Sequence, residues 1–376
     1  MKTIKRYPLI VLMLAVILPA YAQQKGFTIT GKVTGYKDGT KIMLQSYDEN
    51  KIVAEGKISN NIFKLKGTIS EAPESTILII PQGEGMDYCM LYIGNETIEI
   101  SADKKDFPSD VKIKGSVYQD EQSKLDTALR PIIKDRDKVS EEYFAIEEQT
   151  RNTDSIKLQY WGPNGKFTVI DNKYDAVTND FIRKNINTNA GLYNLITRRS
   201  SFTRDELNVL YSQLKHELKN NKYGKALASY LKNPTLNKGD KIYDFEAVDM
   251  EGKTHKLSQY LNKDKYVLLE FSTSHCSWCK KALPVMTEIY NEKKQDMEIV
   301  SLYVDKTPKD WIEETNKEKL PYIRLYNEAA RLSDPYMQYD IHATPTFILI
   351  SPDGKILKKI GGFSYTLKED IYTLMK

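Results

Sequence analysis

Apolar and polar positions alternate in short runs over the first part of the chain, from Phe27 to about Ile113. The β-prone runs cover residues 27–33, 41–47, 62–69, 76–80 and 97–100. Asp38-Gly39 and Asn60-Asn61 lie between runs, and these residue types accept the positive φ of hairpin turns. The pattern predicts a small antiparallel β domain, a sandwich or partly open barrel, over residues 27–115.

Helical spacing replaces this alternation over residues 116–235. Leu125, Leu129 and Ile132 fall on one stripe of a helix. Thr203 is followed three residues later by Glu206, which is the capping box that opens a helix. Residues 161–165, Trp-Gly-Pro-Asn-Gly, predict a loop between helices. This region is therefore expected to be an α-helical connector.

Strands and helices alternate over residues 236–376. The predicted strands are 265–271, 297–304, 346–350 and 355–360, and the predicted helices are 276–294, 308–318, about 329–339 and the C-terminal segment. A βαβ start followed by a hairpin and a helix predicts an α/β sheet that is covered on both faces.

Residues 1–22 have the three parts of a secretory signal peptide. Lys2, Lys5 and Arg6 precede an apolar run at 9–18, and the segment ends in Ala-Tyr-Ala at 20–22. We expect cleavage after residue 22 and export of the protein; an uncleaved membrane anchor is the alternative. The segment contains no cysteine, which argues against a lipoprotein anchor.

The charge balance excludes a general electrostatic grip on nucleic acid. The formal net charge is +4, and loss of the signal peptide leaves 52 of the 55 basic residues against 51 acidic ones. Nucleic-acid binding of that kind needs a marked basic excess or a clustered basic face. The three cysteines are too few for a disulfide scaffold, and Cys89 is expected to be a small core residue.

Cys276-Ser277-Trp278-Cys279 is a C-x-x-C motif at a predicted strand-to-helix junction. The unpaired N–H groups and the positive dipole end of a helix N-terminus stabilise a thiolate there, and the thiolate is the form that attacks disulfides. A cysteine one turn later can resolve the mixed disulfide. Cys276 is the expected nucleophile and Cys279 the expected resolving thiol.

Around this motif, residues 238–376 resemble the thioredoxin-like thiol–disulfide oxidoreductases of the TlpA/ResA type. The similarity includes Gly239, Asp244-Phe245, the strand 267–271, Lys280, Pro284 and the phrase Ala-Thr-Pro-Thr-Phe at 343–347. The resemblance implies a thioredoxin-like fold in which Pro345 is cis and lies beside the dithiol, so that Thr344 and Pro345 contact substrate. Residues 27–235, including Tyr-Gly-Lys at 223–225, look like the domain and connector that precede thioredoxin domains in secreted proteins of some Gram-negative bacteria.

The same resemblance implies an activity and its partners. Members of this type generally reduce disulfides in partner proteins outside the cytoplasm, here the periplasm, and a membrane-embedded thiol donor keeps them reduced. No cofactor or metal is expected. An oxidase or isomerase is the competing direction, and the sequence fixes neither the redox potential nor the substrate.

Glu270 occupies the position of thioredoxin's buried acid, six residues before Cys276. A carboxylate in a central strand must be paired or protonated. In the functional interpretation it exchanges a proton with Cys279; the alternative is an acid that is neutralised by Lys280 or Lys281.

Two further residues near the motif are candidates for contact with substrate. His275 stands where thioredoxins usually have a tryptophan, and its protonated form would lower the pKa of Cys276; an exposed side chain without that role is the alternative. Trp278 lies inside the motif and either shapes partner docking or simply packs.

Other functional classes fit the residues less well. A zinc site needs more ligands than this motif supplies, and haem attachment needs histidine where Lys280 stands. A peroxiredoxin would share Thr273, three residues before the nucleophile, but its proline would fall at Leu269. A binding or scaffold protein, whose main role lies in the β domain, is the non-enzymatic alternative.

Overall fold

The computed structural model describes residues 26–47, 51–83, 85–108, 110–151, 153–261, 264–274, 276–305, 308–327 and 330–375. The predicted signal peptide lies outside these residues. Within them, no helix is long and apolar enough to cross a membrane.

The described residues up to 115 form two four-stranded sheets around one apolar core. The strands are β1 Phe27–Thr34, β2 Lys41–Ser46, β3 Ile52–Lys57, β4 Ile62–Gly67, β5 Glu74–Gln82, β6 Gly85–Ile93, β7 Thr97–Asp103 and β8 Lys112–Lys114. The strand orders are β4-β1-β7-β8 and β3-β2-β5-β6. Inward-facing side chains of both sheets share the core, so the predicted β-sandwich is confirmed.

One strand pair departs from the predicted antiparallel arrangement. β1 and β7 run parallel, with Ile29 opposite Ile98, while the other pairs of the two sheets are antiparallel. The chain passes through β2 to β6 before it returns beside β1, and such a crossover brings a strand back in the same direction.

Residues 117–232 are helical, as predicted. The helices are α1 Val117–Phe144, α2 Glu148–Arg151, α3 Asp154–Trp161, α4 Lys166–Lys184, α5 Asn189–Thr197, α6 Arg204–Gln213, α7 His216–Asn220 and α8 Lys222–Lys232. The predicted capping box is present at α6: Thr203 accepts from the Glu206 N–H, and the Glu206 carboxylate accepts from the Thr203 N–H. The predicted loop separates α3 from α4.

The C-terminal region has the thioredoxin-like fold, built on a seven-stranded sheet of order β10-β9-β13-β12-β11-β14-β15. Its elements are β9 Glu246–Val248, β10 Thr254–Lys256, β11 Tyr266–Ser272, α9 Ser277–Lys293, β12 Met297–Tyr303, α10 Pro308–Glu318, β13 Ile323–Tyr326, α11 Asp334–Gln338, β14 Thr346–Ile350, β15 Ile356–Gly361 and α12 Leu367–Tyr372. β11, β12 and β13 are parallel, and β14 is antiparallel to β11.

Alternation along β11 sends its side chains into two different cores. Leu269 and Phe271 pack in a core that contains α11 and the connector helices. Leu268 packs on the other face against Met286 of α9. Because side chains alternate along a strand, Glu270 lies on the same face as Leu268, which is the face that α9 covers.

Candidate active site at the start of α9

The two cysteines of the motif differ in their surroundings because of where α9 begins. β11 ends at Ser272, and Cys276 is the N-cap residue of α9. Cys276 and Cys279 form a disulfide in this structure, and the Cys279 N–H donates to the Cys276 Sγ at 3.0 Å. Cys276 is partly exposed, whereas Cys279 is only 2% exposed. An incoming disulfide therefore meets Cys276 first.

The turn that leads into the motif is held by an acid from the neighbouring strand. Asp305 follows β12, and its carboxylate accepts from the N–H and the hydroxyl of Ser274 at 3.0 and 2.8 Å. These bonds, together with that of Cys276 N–H to Thr273 O at 3.2 Å, fix the chain immediately before the nucleophile.

The loop before β14 lies against the dithiol. The Thr344–Pro345 peptide bond is cis, as the resemblance implies. The carbonyl oxygen of Thr344 lies 3.4 Å from the Cys276 Sγ, and the carbonyl of Pro345 accepts from the Gly362 N–H at 2.8 Å. Thr344 and Pro345 are thus in direct reach of anything that reacts at Cys276.

Of the two further candidates for substrate contact, the structure describes Trp278 and not His275. The Trp278 side chain is 53% exposed, and the Lys281 ammonium lies 4.2 Å from the centre of its ring, which is a cation–π contact. An aromatic ring is therefore presented to solvent next to the dithiol. His275 lies outside the described residues.

The Glu270 side chain is completely buried beneath this surface. Burial raises the pKa of Glu270 from 4.5 to about 7; the hydroxyls of Ser301 and Ser272 lower it, and the nearby charge of Glu318 raises it. The Ser301 hydroxyl donates to Oε2, while Oε1 has no hydrogen-bond partner among the described residues. A carboxyl with this pKa can exchange a proton near neutral pH.

The alternative in which a lysine neutralises Glu270 is wrong. Lys280 forms an ion pair with Glu314 of α10, and Lys281 lies over the Trp278 ring. Both lysines are exposed, whereas Cys279, which precedes them in α9, is buried against the sheet. Serine hydroxyls, not a lysine, contact the buried carboxylate.

The third cysteine is remote from this site. Cys89 lies in β6, in the core of the β domain as predicted, and burial raises its pKa to about 12. In the part of the chain that the structure describes, no group of three His, Cys, Asp or Glu side chains is placed to hold a metal ion.

Two regions of the chain match known protein families. Residues 27–122 match a domain of unknown function, DUF4369, and residues 238–359 match the AhpC/TSA family. The thiol-disulfide oxidoreductase ResA of Geobacillus thermodenitrificans is 31% identical over 135 residues, which are 35% of this chain and 73% of that protein. This chain belongs to the ResA family of thiol-disulfide oxidoreductases.

A second ResA protein and one solved structure are also similar to part of this chain. ResA of Bacillus thuringiensis subsp. konkukian is 29% identical over 134 residues, which are 35% of this chain and 75% of that protein. The crystal structure of the thioredoxin domain of a Bacteroides vulgatus thiol-disulfide oxidoreductase is 26% identical and covers 38% of this chain and all of that chain, with a TM-score of 0.35.

Several residues of this ResA-family site were not singled out by the sequence. Ser301 on β12 and Glu318 on α10 influence Glu270, and Asp305 holds the motif turn. One signal was available for Asp305, because the carboxyl ends of neighbouring parallel strands meet at one edge of a sheet. The sequence offered no comparable signal for Glu318, which comes from a helix rather than a strand.

Proposed function

We propose that this ResA-family chain is an exported enzyme that reduces disulfides in partner proteins through Cys276 and Cys279. The observation that carries the proposal is the asymmetry of the pair. Cys276 is partly exposed at the N-cap of α9, where backbone N–H groups favour its thiolate, and Cys279 is buried one turn later.

Reduction takes two thiol–disulfide exchanges. The Cys276 thiolate attacks one sulfur of the substrate disulfide, forms a mixed disulfide and releases the other sulfur as a thiolate, which takes up a proton. Cys279 then loses its proton and attacks the Cys276 Sγ, which closes the Cys276–Cys279 disulfide and releases the second substrate thiolate. Two electrons pass from the dithiol to the substrate.

Glu270 is proposed to accept the proton that Cys279 loses. Its pKa of about 7 and its place on the α9 face of β11 support this role. Thr344, Pro345 and Trp278 are proposed to contact the substrate chain, since the first two lie beside Cys276 and the third exposes its ring there. His275 is proposed for the same surface on its position before Cys276.

The direction of electron flow has a direct test in the redox potential. We expect the equilibrium potential of the Cys276/Cys279 pair, measured against a glutathione series, to lie near the value of about −270 mV known for thioredoxin. An oxidase or isomerase would instead stabilise its reduced form strongly. A potential near the DsbA value of about −120 mV would contradict the reductase assignment.

Export has an equally direct test. We propose that the signal peptide is cleaved after Ala22, that the mature chain starts at Gln23 in the periplasm, and that a membrane-embedded thiol donor keeps the dithiol reduced. Mass analysis of the exported protein is expected to show residue 23 at the N-terminus. Retention of residues 1–22 would support the uncleaved anchor.

A thiol peroxidase is the second candidate, and the match of residues 238–359 to the AhpC/TSA family favours it. Thr273 precedes Cys276 by three residues, as in peroxiredoxins, but Leu269 stands where their proline would lie. The reduced protein can be mixed with hydrogen peroxide and its thiols counted over time. Rapid loss of the Cys276 thiol at micromolar peroxide would favour this candidate over disulfide reduction.

A further inference from the structure

Arg199 lies at the junction between the connector and the thioredoxin-like domain and is only 3% exposed. It lies two residues after Thr197, the last residue of α5. Its Nη2 donates to the carbonyl oxygen of Ile341 at 2.7 Å, and its Nε donates to the Asp340 Oδ1 at 3.0 Å. Both acceptors belong to the segment 340–345, here called the 340–345 loop, which ends at Pro345.

The form of the guanidinium group makes this a rigid attachment. Its planar fork binds a carboxylate and a carbonyl in one fixed geometry. The third arm, Nη1, donates to Ile196 O at 3.1 Å, so the same group is tied to its own connector helix. Only two residues lie between Ile341 and Thr344, whose carbonyl lies 3.4 Å from the Cys276 Sγ.

Asp340 extends the attachment within the loop. Its Oδ1 also lies 2.9 Å from the His342 Nε2, and its backbone has a φ of +50°, which is uncommon for a residue other than glycine. Burial raises the pKa of Asp340, but His342, Arg199 and Lys359 together hold it below the usual value. The carboxylate therefore stays ionised and keeps both partners.

A second set of bonds joins the connector to α11, which leads into the 340–345 loop. The Ser229 hydroxyl donates to the Asp334 Oδ1 at 2.6 Å, and the Asn233 amide donates to the Gln338 Oε1 at 2.9 Å. Below these bonds, the connector and the sheet share one apolar core. The face of the sheet opposite α9 is thus covered in part by the connector.

We propose that the connector is a positioning element of the active site, and that Arg199 holds the 340–345 loop in place against Cys276 while a substrate chain docks. This inference rests on the proposed role of Thr344 and Pro345 in substrate contact. It gives residues 116–235 a function in substrate recognition, carried by a residue that lies 77 positions before the nucleophile. Arg199 acts through the loop and does not itself touch the dithiol.

Arg204 supplies a matched control. Arg199 and Arg204 both lie over the Tyr230 ring, with their guanidinium carbons 5.3 and 5.5 Å from its centre. Arg204 donates to backbone carbonyls of Tyr230 and Asn233, which belong to the connector. Arg204→Met therefore disturbs the connector without removing a bond to the 340–345 loop.

The test compares Arg199→Met with Arg204→Met in the full chain by hydrogen exchange and by turnover. We expect faster exchange at the amides of residues 341–344 in Arg199→Met alone. We also expect kcat/KM for a protein disulfide such as insulin to fall by about 10- to 100-fold in this variant. That loss should lie mainly in KM, and reduction of a small aromatic disulfide should be nearly unchanged.

Each outcome bears on the inference. Unchanged loop exchange, or equal losses of turnover in the two variants, would overturn it. If Arg199→Met does not fold, Arg199→Lys replaces it, since an ammonium keeps the charge but not the fork; exchange at 341–344 must then exceed that of Arg204→Met. Hydrogen exchange needs no turnover, so failure of the wild type to reduce protein disulfides would count against the proposed function and leave the loop result intact.

Discussion

Replacement of Cys276 by serine is expected to reduce disulfide turnover to the uncatalysed rate. A serine hydroxyl cannot form the mixed disulfide, and Cys279 is too buried to take over the attack. The measurement is the reduction of insulin with a chemical reductant as the electron source. No other single substitution in the chain should reduce turnover further.

Cys89→Ala is the matched control for this loss. Cys89 is buried in the β domain and its pKa is raised to about 12, so it supplies no thiolate near neutral pH. The control variant should keep full turnover. Catalysis that survives in Cys276→Ser would remove the nucleophile assignment.

The complementary substitution, Cys279→Ser, should stop the reaction at the mixed disulfide. Partner proteins would then remain linked to Cys276 and could be released by reductant and identified by mass spectrometry. Cys276→Ser in the Cys279→Ser background should retain none of them, which distinguishes covalent capture from simple adhesion.

Replacement of Glu270 by glutamine is expected to change the pH dependence of stability by about 3 kcal/mol. The pKa of Glu270 is about 7 in the folded protein and 4.5 ordinarily. Between these values the unfolded chain has lost the proton and the folded chain still holds it, so stability falls as pH rises. Each unit of pKa difference is worth about 1.4 kcal/mol.

Denaturant unfolding of the oxidised protein at pH 4.5 and pH 8 measures this effect. The wild type should lose about 3 kcal/mol more of its free energy of unfolding over this range than Glu270→Gln does. Equal losses in the two proteins would show that the carboxyl titrates at its ordinary pKa. Closure of the Cys276–Cys279 disulfide should also slow in the variant, because glutamine cannot take the role proposed for Glu270 as acceptor of the Cys279 proton.

Glu318→Gln tests how much the charge of Glu318 contributes to the raised pKa of Glu270. The charge of Glu318 raises the pKa of Glu270, so its removal should move the stability transition toward lower pH without abolishing it. Glu313→Gln, on the exposed side of the same helix, should leave the transition where it is.

The periodic elements could be predicted because their information is local. β14 at Thr346–Ile350 and α10 at Pro308–Glu318 have the predicted bounds, and the cap of α6 is the predicted one. β6 and β13 were not predicted, because neither shows a clear alternation of apolar and polar residues. The exposed residues of β6, among them Met86 and Tyr88, are apolar, and β13 is only four residues long.

The alternation of apolar and polar residues could not predict the direction of each strand in the β domain. An antiparallel and a parallel partner bury the same alternating side chains, and only the path of β2 to β6 decides that β7 runs parallel to β1. The predicted arrangement was therefore right for the hairpins and wrong for this one pair.

By itself, the sequence determined the chemistry at the start of α9: a dithiol one helical turn apart, an acid six residues upstream and a proline before the next strand. These features depend on the spacing of residues within short segments, which a single sequence shows directly. Only the tertiary structure decided what surrounds them. Complete burial raises the pKa of Glu270, and the charge of Glu318 adds a smaller increase. The 340–345 loop is held by Arg199, 142 residues before Ile341. Such contacts follow from how separate elements pack, because burial and long-range hydrogen bonds exist only once the chain has folded.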